Sequence, residues 1–298
     1  MDKNNNCESN DLMRLIQTKF ARLSKGQKLI ADYILKNYDK AAFMTAAKLG
    51  VSVGVSESTV VRFAIELGFS GYPKLQKSLQ ELIKNKLTTV QRLELSSDYI
   101  TEGHALKGVL KADMENIRST MEKIDYNTFE DVVNNIFAAK RIYIIGLRSS
   151  MALAEFLGFY LNIILQNVKT VGYGISDIFE QMINVGEGDL VIGIGFPRYA
   201  SRTIDALAFA QDRGARVVAV TDSFLSPLAT RADYALIAQS NMASFVDSLV
   251  APLSVINALI IAVGMREKEN ISSTFNSLEE IWQEYNVYSY NNRNVGDD

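Results

Sequence analysis

Cysteine, histidine and tryptophan each occur once in these 298 residues, and proline occurs four times. A single thiol, Cys7, in a polar N-terminal stretch forms no intramolecular disulfide, so a reducing compartment, the cytoplasm, is expected. One histidine and one cysteine exclude zinc sites of common type. His104, in the run Thr-Glu-Gly-His-Ala, lies outside the predicted sheet region, so it is read as a turn residue and not as the base of a Ser-His-Asp triad. Gly193-Ile-Gly195 lacks the third glycine of a dinucleotide fingerprint, and no Gly-x-x-x-x-Gly-Lys loop occurs, so no nucleotide cofactor and no metal is expected. The longest apolar run, Leu249 to Gly264, is interrupted by Pro252, Ser254 and Asn257 and is shorter than a membrane span of roughly 20 residues. It reads as a buried helix. Met1 to Asn10 carries Asp2, Lys3 and Glu8 without an apolar core, so no signal peptide and no membrane partner are expected.

What is present is ordinary in amount and uneven in placement. Hydrophobic residues make up 48% and charged residues 22%, as in folded soluble domains. The net charge of −3 conceals a division. Residues 1–90 hold 14 Lys+Arg against 8 Asp+Glu, a net +6, which leaves −9 for residues 91–298. Such asymmetry suggests a basic binding module joined to an acidic one.

The basic end is organised around Gly54 to Tyr72. Ser56 stands at an N-cap position, where its hydroxyl is expected to accept from the next turn, and a helix is predicted from there to Gly68. Val60, Phe63, Ala64 and Leu67 recur at i, i+3, i+4 and i+7 and form one apolar stripe. The outer face keeps Ser56, Glu57, Ser58, Thr59, Val61 and Arg62, short hydroxyls followed by a guanidinium, which is the equipment for reading a major groove. Phe43, Met44, Ala46, Ala47 and Leu49 supply the preceding helix of a helix-turn-helix, joined through Val53 and Gly54. Upstream, Leu12, Leu15, Ile16 and Phe20 predict one helix. Ser24-Lys25-Gly26-Gln27 has the form of a capping box opening another that buries Leu29, Ile30, Tyr33 and Ile34. Lys28 near that start, with Tyr72 and Lys74 at the start of the helix after the recognition helix, are further candidates for DNA contact.

Residues 81–125 show helical periodicity without a large core of their own and are read as a linker that also packs on a second copy of the chain. From Arg141 the pattern changes. Short apolar runs at Arg141–Gly146, Val168–Val171, Asp189–Gly195, Arg216–Thr221 and Tyr234–Ala238 alternate with helical segments, including Ile175–Ile183, Ala200–Asp212 and Val246–Val263. This implies an open parallel sheet covered on both faces, followed by a helical tail containing Trp282. In such sheets ligands bind beyond the carboxyl ends of strands. Two loops qualify. One is Gly146-Leu-Arg-Ser-Ser150, with Arg148, Ser149 and Ser150. The other runs from Gly195 to Thr203 and offers Arg198, Tyr199, Ser201 and Thr203. Together they suit a phosphate-sized anion.

The run from Leu23 to Ile34, Gly-Val-Ser-Glu-Ser-Thr-Val-Val-Arg-Phe and Leu-Gly-Phe-Ser-Gly-Tyr closely resemble the N-terminal domain of RpiR-type transcriptional regulators. Residues 126–265, with Gly-Ala-Arg-Val-Val-Ala-Val-Thr-Asp and Ser226-Pro227-Leu228-Ala229, resemble the sugar isomerase (SIS) domain. The likeness implies an α + α/β protein: residues 1–80 an all-helical DNA-binding domain, 81–125 a helical linker, 126–265 a three-layer α/β/α SIS domain, and 266–298 a helical tail. It further implies a homodimer or homotetramer that binds operator DNA and responds to a phosphorylated sugar or related anion. One departure stands out. Where many SIS domains carry Ser-x-Ser-Gly-x-Thr, this chain has Gly195-Phe-Pro-Arg-Tyr-Ala200, losing two hydroxyls for which Arg198 and Ser201 are expected to compensate. The rival reading is a phosphosugar isomerase with a helical appendage, using Glu155 or Glu180 as the base. A purely structural dimer module is a third.

Overall fold

The computed structural model describes residues 8–83, 88–90, 92, 105–242 and 245–288. Cys7 and His104 lie outside the described residues, as do Leu87, Leu93 and Leu95 of the expected linker. The chain divides into two compact units, Met1–Gly108 with Ala243–Val246, and Val109–Met242 with Asp247–Asp298.

The first unit is helical. It contains α1 (Glu8–Lys19), a 3-10 turn (Phe20–Arg22), α2 (Lys25–Ala41), α3 (Ala46–Val53), α4 (Glu57–Glu66) and α5 (Tyr72–Ile83). Ser24 and Gln27 form a reciprocal capping box, Gln27 N–H donating to Ser24 Oγ at 3.4 Å and Ser24 N–H to Gln27 Oε1 at 2.9 Å. Phe43 and Met44, expected inside the helix before the turn, precede it. That helix starts at Ala46 because Thr45 caps it, accepting from Lys48 N–H at 3.2 Å. The expected burial of Leu29 is also corrected: it is 47% exposed, whereas Ile30, Ala31 and Ile34 are fully buried. The stripe Val60, Phe63, Ala64 and Leu67 packs into the core with Ile16, Leu49, Leu75 and Leu79. Helix α4 ends in a Schellman arrangement, Phe69 N–H reaching Ala64 O at 3.0 Å and Gly68 N–H reaching Ile65 O at 2.9 Å.

The second unit holds a five-stranded parallel sheet in the order β2-β1-β3-β4-β5, with β1 Ile142–Ile145, β2 Val168–Val171, β3 Leu190–Ile194, β4 Arg216–Thr221 and β5 Tyr234–Ile237. Alternate residues feed opposite cores. Ile142, Ile144, Leu190, Ile192, Val218 and Val220 pack under α7 (Tyr126–Ala138), α8 (Met151–Leu165) and α11 (Val250–Arg266). Tyr143, Ile145, Val191, Val217 and Ala219 pack under α9 (Ile178–Gln181) and α10 (Ser201–Asp212). Near-continuous apolar strands result from this two-sided burial. The helix expected over Ile175–Ile183 is only one turn long, since Asp177 caps it as late as Ile178, and α11 starts at Val250 and not at Val246.

Helix α6 (Ala105–Lys123) precedes the sheet, and α12 (Lys268–Glu284) follows it. The polar face of α6 is hydrogen-bonded to the stretch after β5. Asn116 exchanges two bonds with the Asn241 backbone at 2.9 and 3.2 Å, Thr120 Oγ1 accepts from Gln239 N–H at 2.8 Å, and Ser248 Oγ donates to Asp113 at 2.6 Å. Among the described residues no single helix is long and apolar enough to cross a membrane.

Candidate functional site

Two polar surfaces stand out, one in each unit. In the helical unit, α3 and α4 meet so closely that a Cβ on Gly50 would lie 2.8 Å from Val55 O, so the angle between them depends on a residue without a side chain. The α4 start carries an exposed hydroxyl cluster. Ser56 occupies the N-cap position but its hydroxyl does not cap the backbone as expected. It bonds instead to Thr59 Oγ1 at 2.8 Å and Ser58 Oγ at 3.0 Å. Arg62 Nε donates to Ser58 O at 3.3 Å, which lays the guanidinium along the same turn. Glu57 is exposed beside it.

Gly26 lies next to this cluster, since a Cβ there would sit 3.3 Å from the Thr59 methyl, so the amino ends of α2 and α4 form one surface. Lys28 is half-buried with its ammonium 5.9 Å from the Phe20 ring centre, and Lys74 is exposed. Tyr72 is the exception among the expected contacts. It is 3% exposed, and its hydroxyl donates inward to Met44 O at 2.7 Å. Burial pushes the phenol pKa well up. Tyr72 is therefore a packing residue that locks α5 to the end of α2, and it does not belong to the exposed face around the start of α4.

In the α/β unit, β1 and β3 are neighbours at the point where the strand order reverses, and the two expected loops leave their carboxyl ends there. Gly146 makes the first turn possible, as a Cβ would come within 2.7 Å of Ser150 O and 3.2 Å of Ile194 O. Arg148 follows at φ +58°, a left-handed conformation that side-chain-bearing residues adopt at a cost and that concentrates at ligand sites. A small open cavity of about 30 Å³ lies between the loops, lined by Arg148, Ser149, Ser150, Arg198 and Thr203 together with Leu147, Gly195 and Phe196. Thr203 is 1% exposed, and its hydroxyl has no hydrogen-bond partner among the described residues. A buried hydroxyl without a partner costs about 1–3 kcal/mol, which a ligand oxygen would recover.

Not every expected residue reaches this cavity. Tyr199 turns toward the end of β4, its hydroxyl donating to Asp222 Oδ1 at 2.7 Å. Ser201 is exposed on the first turn of α10 and does not line the cavity, whereas Thr203 does. The departure at Gly195 has a steric counterpart, since a Cβ there would meet a Leu228 methyl at 2.7 Å. Asp222, which follows β4 in the Val-Thr-Asp run, accepts the Tyr199 bond and does not line the cavity. Glu155 is exposed on α8, and Glu180 closes a capping box on Asp177 N–H at 2.8 Å. Neither lines the cavity.

A helix-turn-helix unit in series with an α/β module that opens an anion-sized crevice at its strand-order switch defines the class of ligand-responsive DNA-binding regulators. The model of the helix-turn-helix domain of the rpiR family matches residues 10–86, and that of the SIS domain matches residues 135–262. An HTH-type transcriptional regulator of Haemophilus influenzae is 28% identical over 275 residues, 89% of this chain and 94% of that protein. Among solved structures, the sugar isomerase domain of an RpiR transcription factor from Sphaerobacter thermophilus shares 30% identity with a TM-score of 0.57, covering 59% of this chain and 99% of that one. NanR of Vibrio vulnificus, complexed with ManNAc-6P, has the same fold at 21% identity and a TM-score of 0.54, covering 91% of this chain and 98% of that one. The chain belongs to the RpiR family of transcriptional regulators.

Proposed function

We propose that this regulator grips double-stranded operator DNA through Ser56, Glu57, Ser58, Thr59 and Arg62 of α4, with Lys28 and Lys74 on backbone phosphates. A phosphorylated sugar or related anion held by Arg148, Ser149, Ser150, Arg198 and Thr203 then changes the operator affinity. The observation that carries this reading is the meeting of two loops, distant in sequence, around the unpartnered buried hydroxyl of Thr203 at the strand-order switch. The cavity is small, about 30 Å³, so only the anionic end of such a ligand would reach into it and the sugar would lie at its mouth. The chain acts as a homodimer or homotetramer in the cytoplasm. Effector binding shifts the spacing of paired DNA-binding units, and a coupling of about 1–3 kcal/mol suffices to change occupancy several-fold or more.

We further read the chain as having no catalytic role, because the two carboxylates suited to proton transfer, Glu155 and Glu180, stand away from the cavity. The test is a thermal-shift screen of the full chain against phosphorylated sugars and sugar acids, repeated with Arg148→Ala and Arg198→Ala. A stabilising hit weakened by both substitutions, with no turnover of the hit, supports the reading. Absence of any hit, or turnover lost in Glu155→Gln or Glu180→Gln, overturns it.

A further inference from the structure

The buried side chains of α6 are polar. Asn116 and Thr120 are 1% and 5% exposed, and both bond to the stretch after β5. That stretch also reaches the other way. Gln239 gives its backbone N–H to Thr120 and donates its side-chain amide to Asp222 O at 3.3 Å. Asp222 Oδ1 in turn accepts from Tyr199, which follows Arg198 in the loop lining the crevice, and from the buried Thr221 hydroxyl at 3.4 Å. A line of hydrogen bonds therefore runs from the effector loop, across the carboxyl ends of β4 and β5, to α6.

Two features suit this line to transmit a change. Ser240, between Gln239 and Asn241, is fully buried, and its hydroxyl has no partner among the described residues. An unpaired buried hydroxyl raises the energy of this arrangement, as Thr203 does at the opposite end of the line, so a shift that pairs it is favoured. The second feature is the continuity of α6, which runs through the boundary between the two units after Gly108. A helix docked by directional polar bonds has a defined register, and changing those bonds re-registers the whole rod. We propose that Tyr199, Asp222, Gln239 and Thr120 are positioning residues that carry occupancy of the crevice to α6, and through it to the DNA-binding unit. The proposal rests on the regulator reading for its two end points, whereas the line between them is open to test without a ligand.

Amide hydrogen exchange of the full, ligand-free chain tests that line. Tyr199→Phe removes the hydroxyl that bonds to Asp222, and exchange should rise several-fold at Gln239, Asn241 and residues 116–123, with β2 and α8 as in wild type. Ser201→Ala, exposed on the same segment, should leave exchange at the wild-type level. In Gln239→Met, which keeps the side-chain length and loses the amide, Tyr199→Phe should add no further change at α6. A Tyr199→Phe response confined to its own loop, absent, or spread evenly over the sheet unit would overturn the proposal. Duplex binding then reads the end points, with inorganic phosphate as the probe against chloride at equal ionic strength. Wild-type affinity for a duplex selected from a random-sequence pool should change by about 5–150-fold. Thr120→Val and Gln239→Met should still bind that duplex, with the dependence on phosphate reduced to near unity. Full dependence in both variants would overturn the proposal. A wild type indifferent to phosphate would count against the regulator reading, and the exchange result would still decide the line itself.

Discussion

Serine and threonine serve both polar surfaces of this protein, but in opposite states of solvation. At the start of α4, Ser56 and Ser58 are exposed and, with Thr59, bond to one another, so the cluster projects from a convex helix end. In the crevice, Ser150 and Thr203 are 4% and 1% exposed, and the Thr203 hydroxyl has no partner among the described residues. The difference fits the size of the ligand proposed for each surface. A duplex is too large to enclose, so its reader must stand out and exchange water for bases and phosphates on contact. A small anion can be enclosed, so desolvation of the donors can be completed during folding and binding then only recovers hydrogen bonds.

Substitutions can break or sharpen this contrast. Phe63→Ala, which empties the core beneath the convex surface, should cost the helical unit about 3–5 kcal/mol, read as a lower denaturant midpoint for that unit while the effector-induced thermal shift survives. If both responses vanished together, the two units would not be separable in the way their cores suggest. Arg62→Ala should lose about 1–3 kcal/mol of discrimination between operator and scrambled duplex in gel shifts. Equal weakening on both duplexes would reduce Arg62 to a phosphate contact.

Thr203→Val addresses the crevice. Removing an orphaned hydroxyl should leave the ligand-free protein as stable as wild type or more stable, by up to about 1–3 kcal/mol, while the thermal shift given by a bound anion shrinks. Destabilisation of the ligand-free form would mean that the hydroxyl is satisfied in solution. The smallest effect is expected from Tyr72→Phe. It should cost about 0.5–1.5 kcal/mol of stability and leave DNA affinity unchanged, since Gln76 still donates to Met44 O at 3.1 Å. Above pH about 10 the wild-type helical unit should also lose stability that Tyr72→Phe retains. The folded phenol titrates above its ordinary value of 10.0, so its contribution is full below that pH and is lost as the pH climbs toward the raised value.

Sequence by itself determined whatever depends on neighbours along the chain. The Ser24–Gln27 capping box, the apolar stripe of α4, the alternation of strands and helices, and the two loops at the ends of β1 and β3 are all set by short-range spacing, and spacing is visible in one dimension. Tertiary structure decided which way individual polar groups point. Tyr72 follows the recognition helix like a surface contact, yet its hydroxyl turns inward to a carbonyl 28 residues away because α5 packs there. Ser201 and Thr203 differ by half a turn of α10, and only the position of β3 beneath that helix makes one solvated and the other an orphan donor. Glu180 was lost to the cap of a helix shorter than its sequence suggested. Direction and desolvation are properties of packing against distant segments, and no local pattern encodes them.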